Sequence, residues 1–306
     1  MAQSTAPLTL ALTGGTGFVG RATIAAALAA GHRVRALARR AQPPQAGVEW
    51  VAGDLSEASA LATLCTGADA VVHIAGRVTA PDRASFDEAN AAGTASVVAA
   101  AQRAGVPRLV HVSSLAAREP ALSDYGRSKA AGEAEAQRFG GELCIVRPPG
   151  VYGPNDAEMR DVFRLAARGL ALVPPPGRVS LIHVDDLARL LVTLANASPL
   201  PALVEPAGGP PLDHHQLARA IGAAVGRPDP IVVSVPAAVL AVVARLDHRW
   251  RGEGAKLTPD RARYLVHPDW SARADLAPPP ELWTPAIALD RGLAATAHWY
   301  RDAGWL

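Results

Sequence analysis

The stretch Leu8-Thr-Leu-Ala-Leu-Thr-Gly-Gly-Thr-Gly-Phe-Val-Gly20 decides how this chain is read. Leu8–Leu12 has the composition of a buried strand and empties directly into a turn with glycines at 14, 17 and 20. Gly14 permits a tight strand-to-helix turn, Gly17 lets the backbone approach a pyrophosphate, and Gly20 lets the next helix lie close to the sheet. The helix opening near Gly17 offers unpaired N–H groups and the positive end of its dipole to phosphates. Thr16, Phe18 and Val19 belong to the same turn and are assigned with Gly14 and Gly17 to cofactor binding. A glycine turn alone is weak evidence, but this one follows the first strand and precedes an apolar helix, as a dinucleotide site requires.

Outward from this turn, strand-like runs at Leu8–Leu12, His32–Ala38, Gly47–Val51, Ala70–Ile74, Leu109–Ser113 and Leu143–Arg147 alternate with Ala-rich helical stretches. The helical stretches include Gly20–Ala30, Ser56–Cys65, Phe86–Ala104 and Ser128–Phe139. Such alternation predicts right-handed crossovers and an α/β fold, a doubly wound parallel sheet covered on both faces. After Arg147, proline and glycine punctuate the chain, which predicts a smaller C-terminal substrate lobe built from several excursions. The expected division is a dinucleotide-binding core over 1–150 and a mainly substrate-binding lobe over 151–306, with 178–200 returning to the core.

Half of the 306 residues are apolar, and 30 basic side chains nearly cancel 28 acidic ones. The overall charge therefore gives no field to steer the chain onto nucleic acid or an anionic membrane. Cys65 and Cys144 stand in apolar contexts without metal-ligand spacing, as expected of buried thiols in a reducing cytoplasm. The longest apolar run, Ile231–Ala244, is broken by Ser234 and Pro236 and is too short to span a bilayer, so a core helix is expected there. His214 and His215 point apart on a helix and have no third ligand in register, so no metal is assigned.

Several positions invite nicotinamide chemistry. The second strand ends in Arg39 and Arg40, which either clamp a 2′-phosphate or face solvent. NADP is the preferred expectation on that account and NAD the alternative. Asp54 and Leu55 follow the third strand, where a carboxylate can hold the adenine amino group; Ala75 and Gly76 close the fourth with small side chains. His73, inside that fourth strand, reads as a packed core residue. Tyr125 and Lys129 are four apart and share a helix face. An ammonium near a phenol is expected to lower the phenol's pKa and fit Tyr125 to exchange a proton with a substrate oxygen. Ser114 at the end of the fifth strand is expected to orient that oxygen, with Ser113 at the cofactor. The catalytic set is thus Ser114, Tyr125 and Lys129.

These motifs resemble the extended short-chain dehydrogenase/reductases of the NAD-dependent epimerase/dehydratase type. The resemblance runs through Thr13–Gly20, Gly53-Asp54-Leu55, Val72-His-Ile-Ala-Gly76, Asn90-Ala-Ala-Gly-Thr94, Val112-Ser113-Ser114 and Tyr125-x-x-x-Lys129. It continues through Arg147-Pro-Pro-Gly-Val-Tyr-Gly-Pro154, His183-Val-Asp-Asp186 and Trp299-Tyr-Arg-Asp-Ala-Gly-Trp305. It implies a Rossmann-like core beside a variable substrate lobe, with Asn90 near the cofactor, Pro148 and Val151 beside the nicotinamide, and Tyr125 and Lys129 also touching the cofactor. It further implies a homodimer packed through the helices at Phe86–Ala104 and Ser128–Phe139, where Ala130, Ala131 and Ala134 permit close approach.

The chain departs from the sugar-nucleotide members of that family. Gly150 stands where they usually carry an Asn that holds the nucleotide diphosphate, no extra acid/base pair accompanies Ser114, and the interval from Ser114 to Tyr125 is short. These departures favour hydride transfer between nicotinamide and a small-molecule carbonyl or alcohol over a multistep sugar reaction. The alternatives are an epimerase or dehydratase and, against the intact Tyr125–Lys129 pair, a non-catalytic dinucleotide-binding regulator. In the lobe, Trp250, Tyr264 and Trp270 are expected mostly to pack a small core, or else to line an apolar substrate pocket.

Overall fold

The computed structural model describes residues 6–252, 255 and 257–306. The chain forms two compact units, the first comprising 1–148, 184–206 and 274–284 and the second 149–183, 207–273 and 285–306. The chain re-enters the first unit twice, at 184–206 and 274–284; the sequence reading has one return, at 178–200.

The first unit is built on seven strands: β1 (Thr9–Thr13), β2 (Arg33–Ala38), β3 (Val48–Ala52), β4 (Ala70–His73), β5 (Arg108–Val112), β6 (Glu142–Val146) and β11 (Leu203–Val204). Their order is β11-β6-β5-β4-β1-β2-β3, and every neighbouring pair is parallel. The helices α1 (Phe18–Ala29) and α7 (Val184–Ala195) pack together as one layer. The other layer holds α2 (Ala58–Cys65), α4 (Gly93–Arg103) and α5 (Asp124–Ala136). Burial of both faces explains why the strands read as continuous apolar runs, not alternating ones. Leu10, Ala11, Val71, Val72, Leu109, Val110 and Cys144 are fully buried, and Cys65 and Cys144 are free thiols. Strand order reverses between β1 and β4, and in open α/β sheets the crevice at such a switch point takes the ligand.

The helix predicted over Phe86–Ala104 begins earlier and is not uniform. A short α3 (Arg83–Asp87) passes through a π-helical turn at Glu88–Ala92 into α4. The wide turn inserts one extra residue per turn at Asn90, which the apolar periodicity does not register. Likewise α5 starts at Asp124, because the Ser123 hydroxyl caps it by accepting from the Gly126 amide.

In the second unit, β7 (Gly150–Tyr152) pairs with β10 (Leu181–His183), and β8 (Leu170–Val173) pairs with β13 (Ile231–Ser234), both parallel. A third sheet joins β9 (Arg178–Val179) to β12 (Leu212–Asp213) and β14 (Asp269–Trp270). Helices α6 (Arg160–Ala167), α8 (His214–Ala224) and α11 (Leu289–Asp302) close over a core of Tyr152, Phe163, Ile221, Leu293, Ala297 and Tyr300. The remaining α-helices among the described residues of this unit are α9 (Ala237–Arg251) and α10 (Pro259–Leu265).

Ile231–Ala244 is not one core helix. It divides into β13 and the start of α9 at Val235-Pro236, since proline cannot donate to a ladder and sits readily at a helix start. Of the fifteen residues of α9, only Ala244 is buried. Trp270 is buried and stacks on Tyr264 with ring centroids 4.5 Å apart, as expected of core aromatics, whereas Trp250 is 85% exposed. His214 bonds the Pro175 carbonyl oxygen and His215 the Ser234 hydroxyl, and no cluster of metal-ligating side chains occurs among the described residues. No helix among them is long and apolar enough to cross a membrane.

Candidate active site

The turn after β1 has the shape its glycines imply. Gly14 adopts φ +76°, and a Cβ there would stand 2.7 Å from the Ala75 nitrogen. Gly20 lies so close beneath the turn that a Cβ would collide with the Gly14 carbonyl. The Gly17 amide donates to the Gly14 carbonyl at 3.0 Å, and Gly17 caps α1 without any side-chain partner. A close backbone cradle ending in an uncapped helix N-terminus fits a pyrophosphate. Thr16 is exposed and Phe18 and Val19 are half-buried in the first turn of α1.

At the end of β2, Arg39 and Arg40 are both exposed. The Asp54 carboxylate accepts from the Ser56 hydroxyl at 2.6 Å and from its amide at 2.8 Å. Those hydrogen bonds, with the Arg39 charge helping, hold its pKa below the usual carboxylate value. Leu55 is half-buried, close enough to Gly93 that a Cβ on Gly93 would press on it.

Beyond β4, Ala75 is half-buried and Gly76 exposed, and a Cβ on Gly76 would lie 2.7 Å from the Asn90 side-chain oxygen. Asn90 is buried in the π turn and fully engaged. Its oxygen accepts from the Arg77 amide (2.8 Å), and its nitrogen donates to the Arg77 carbonyl (3.0 Å) and the Ser128 hydroxyl (2.9 Å). His73 is a packed core residue, held at 2.6 Å from the Thr13 hydroxyl and 3.0 Å from that of Thr94. Burial, with Lys129 nearby, lowers its pKa to about 3, so it is neutral.

Helix α5 carries the proton chemistry. Ser128, one residue before Lys129, bonds the Tyr125 carbonyl and so links α5 to Asn90. Ser114 caps the 3₁₀ turn Leu115–Arg118 and also hydrogen-bonds the Tyr125 phenol. The Lys129 ammonium donates to the Val112 carbonyl at 2.8 Å. Burial lowers the Lys129 pKa to about 8, with Glu133 opposing the shift. The Tyr125 pKa is raised, not lowered as the spacing predicts: burial disfavours the phenolate more than the Ser114 hydrogen bond favours it. At neutral pH Tyr125 is therefore a phenol with a proton to give.

Ser113 points elsewhere. Its hydroxyl donates to Glu133 at 2.5 Å. Glu133 is buried and receives a bidentate clamp from Arg147, at 2.8 and 2.6 Å. Arg147 also lies 3.6 Å from buried Glu205, which Arg118 approaches at 3.2 Å. The sequence reading missed this layer beneath the site. Its signal is the continuation of the same helical spacing, from Tyr125 through Lys129 to Glu133. Pro148 is buried in the first unit, its carbonyl accepting from the Leu115 amide at 3.1 Å. Val151 lies in the second unit on β7, in register with Ile182.

The parallel sheet with its order reversing at β1 and β4, the glycine cradle and the Ser114–Tyr125–Lys129 cluster define the class. Residues 10–201 match the model of the NAD dependent epimerase/dehydratase family, and the chain belongs to that family. It is an NAD(P)-dependent oxidoreductase of the extended short-chain dehydrogenase/reductase type, moving hydride between nicotinamide and a carbonyl or alcohol.

Among its relatives is the ceramide reductase of Caulobacter vibrioides, 37% identical over 97% of this chain and 96% of that protein. The 2-alkyl-3-oxoalkanoate reductase of Stenotrophomonas maltophilia is 31% identical over 92% of this chain and 96% of its own length. Among solved structures, the NAD-bound dTDP-glucose 4,6-dehydratase DesIV of Streptomyces venezuelae superposes with a TM-score of 0.75 at 22% identity. That match covers 97% of this chain and 98% of DesIV.

Proposed function

We propose that this enzyme reduces the carbonyl of a long-chain, lipid-like substrate, with Tyr125 as proton donor and NADPH as the preferred reductant. The observation that carries the reading is a half-buried Tyr125 phenol hydrogen-bonded to Ser114 and raised in pKa by desolvation, one helical turn from Lys129. A dinucleotide held by the Gly14, Gly17 and Gly20 turn would supply a hydride to the carbonyl carbon. Tyr125 gives its proton to the carbonyl oxygen, so that C=O becomes CH–OH. Ser114 hydrogen-bonds that oxygen, and the Lys129 ammonium favours the phenolate left behind. Asn90 and Ser128 keep α5 in place, and Glu133 and Arg147 hold the strand end beneath it.

The substrate class rests on the two reductases that match nearly the whole chain, both named for molecules bearing alkyl chains. Gly150, where sugar-nucleotide enzymes use Asn, supports the same choice. The second unit is read as the substrate-binding half, and the α5 face bearing Ala130, Ala131 and Ala134 as the surface of a homodimer.

A panel of long-chain 3-oxo amides and esters, followed by nicotinamide absorbance, tests the reading. Tyr125→Phe is expected to lower kcat/KM about 10²–10⁴-fold with thermal unfolding unchanged; parent-like turnover in that variant overturns the assignment. One oxidised nicotinamide per alcohol formed separates reduction from epimerisation, in which the cofactor returns to its starting state. The NADP preference rests on Arg39 and Arg40, exposed at the end of β2. A charge-assisted bond to a 2′-phosphate is worth about 1.5–3 kcal/mol, so Arg39→Ala should narrow the preference for NADP about ten- to a hundredfold. An unchanged NADP/NAD ratio removes Arg39 from the clamp.

A further inference from the structure

Helix α9 of the second unit carries an apolar stripe that nothing among the described residues covers. Val239, Val242, Val243, Leu246 and Trp250 are all exposed, Trp250 by 85%. At 3.6 residues per turn these five fall within an arc of about 100°. The helix's own inward side lies elsewhere, through half-buried Leu240 and Asp247 and buried Ala244. Two residues upstream, β13 exposes Ile231 and Val233 on one face, and β8 adds exposed Leu172 in register with Val233.

The exposed charged side chains of α9 are all arginines. Arg245 and Arg249 border one edge of the arc, and His248 and Arg251 share the last turns with Trp250, all of them exposed. The helix's one acid, Asp247, is taken by Arg251 at 3.2 Å. Neither Arg245 nor Arg249 has an ion-pair partner among the described residues. A helix with an apolar stripe, an exposed tryptophan at its end and arginines along its border matches an anionic lipid interface: the stripe enters the acyl boundary, the indole sits at headgroup level and the guanidiniums meet phosphates. A second copy docked through the same stripe about a two-fold axis would bring like-charged arginines together with no free carboxylate on the helix to oppose them.

From this geometry we infer that α9 docks the enzyme peripherally on an anionic lipid surface. The near-neutral charge of the whole chain does not oppose this, because the charge that matters within a Debye length is the local one on α9.

Vesicle co-sedimentation tests the inference on the full chain without any turnover, so its result is independent of the proposed substrate. Binding is expected to vesicles of phosphatidylglycerol and phosphatidylcholine, weakly or not at all to pure phosphatidylcholine, and to fall as salt rises. Leu246→Gln with Trp250→Gln should abolish it. Arg245→Gln with Arg249→Gln, two exposed positions, should weaken binding to the anionic vesicles about thirtyfold. Trp250 should become shielded from aqueous iodide on binding, read as the difference between the parent and Trp250→Phe. A parent chain that stays with the supernatant overturns the inference. So does equal binding by either double variant, or a dimer in sedimentation velocity that the stripe variant dissolves while vesicles bind nothing.

Discussion

Two buried carboxylates are treated very differently in the two units of this molecule. Glu133, in the first, receives two guanidinium hydrogen bonds from Arg147 and one from the Ser113 hydroxyl. Asp156, in the second, accepts from backbone amides but has no ion-pair partner among the described residues, its Oδ2 is buried without a hydrogen-bond partner among them, and its pKa rises to about 6. Two apolar helices repeat the contrast. In the first unit α7 buries nine of its twelve residues, whereas in the second α9 buries one of fifteen. In the first unit Glu133 is paired and α7 is covered, which suits a helix α5 that holds Tyr125 and Lys129 in register. The second leaves an uncompensated acid and an uncovered stripe, features on which protons and lipid can act.

The largest effect should come from opening the closed half. Arg147→Ala strands a buried Glu133 charge and is expected to cost about 3–5 kcal/mol in urea unfolding. Replacing both partners by apolar residues, Glu133→Leu with Arg147→Met, should recover most of that loss, because the penalty lies in the unpaired charge. A single variant costing under about 1 kcal/mol would mean that the first unit is no better tied than the second.

What was legible in the sequence follows the same division. The turn at Thr13–Gly20 and the Tyr125–Lys129 spacing are local properties of backbone and helix, and the turn and the helix form where the sequence places them. Asn90 was found only through resemblance, since a π turn leaves no periodic mark. The raised pKa of Tyr125 was not legible, because burial is a property of the assembled fold and the Lys129 ammonium bonds Val112 instead. Glu133 lay on the readable helix face, but its meaning needed Arg147 from another strand. The run at Ile231–Ala244 was read as core because apolar periodicity identifies a face of a helix without saying what covers it.

Asp156 offers the next test. Its folded pKa of about 6 exceeds the usual 3.8, so the native state binds the extra proton. That contribution to stability is fully present below the unfolded pKa and is lost as pH rises through about 6. Asp156→Asn cannot ionise, so relative to the parent its stability should improve between about pH 4 and about pH 8, by up to about 3 kcal/mol at about 1.4 kcal/mol per pKa unit. Urea titrations across that range measure the difference. A flat difference would place a hidden cation beside Asp156 and erase the contrast with Glu133.

The smallest effect should be on α9. Leu190, on α7, is fully buried, and Leu190→Ala should cost about 2–5 kcal/mol through lost burial and the cavity left behind. Leu246, on α9, is 50% exposed, and Leu246→Ala removes a side chain that packs little, so its cost should stay within about 0.5 kcal/mol. The two truncations delete the same atoms, so their ratio in one thermal or urea series isolates what covers each helix. A cost for Leu246→Ala approaching that of Leu190→Ala would require the stripe to be buried in the free protein, by self-association. The cost would then fall on dilution, as a property of an isolated chain would not.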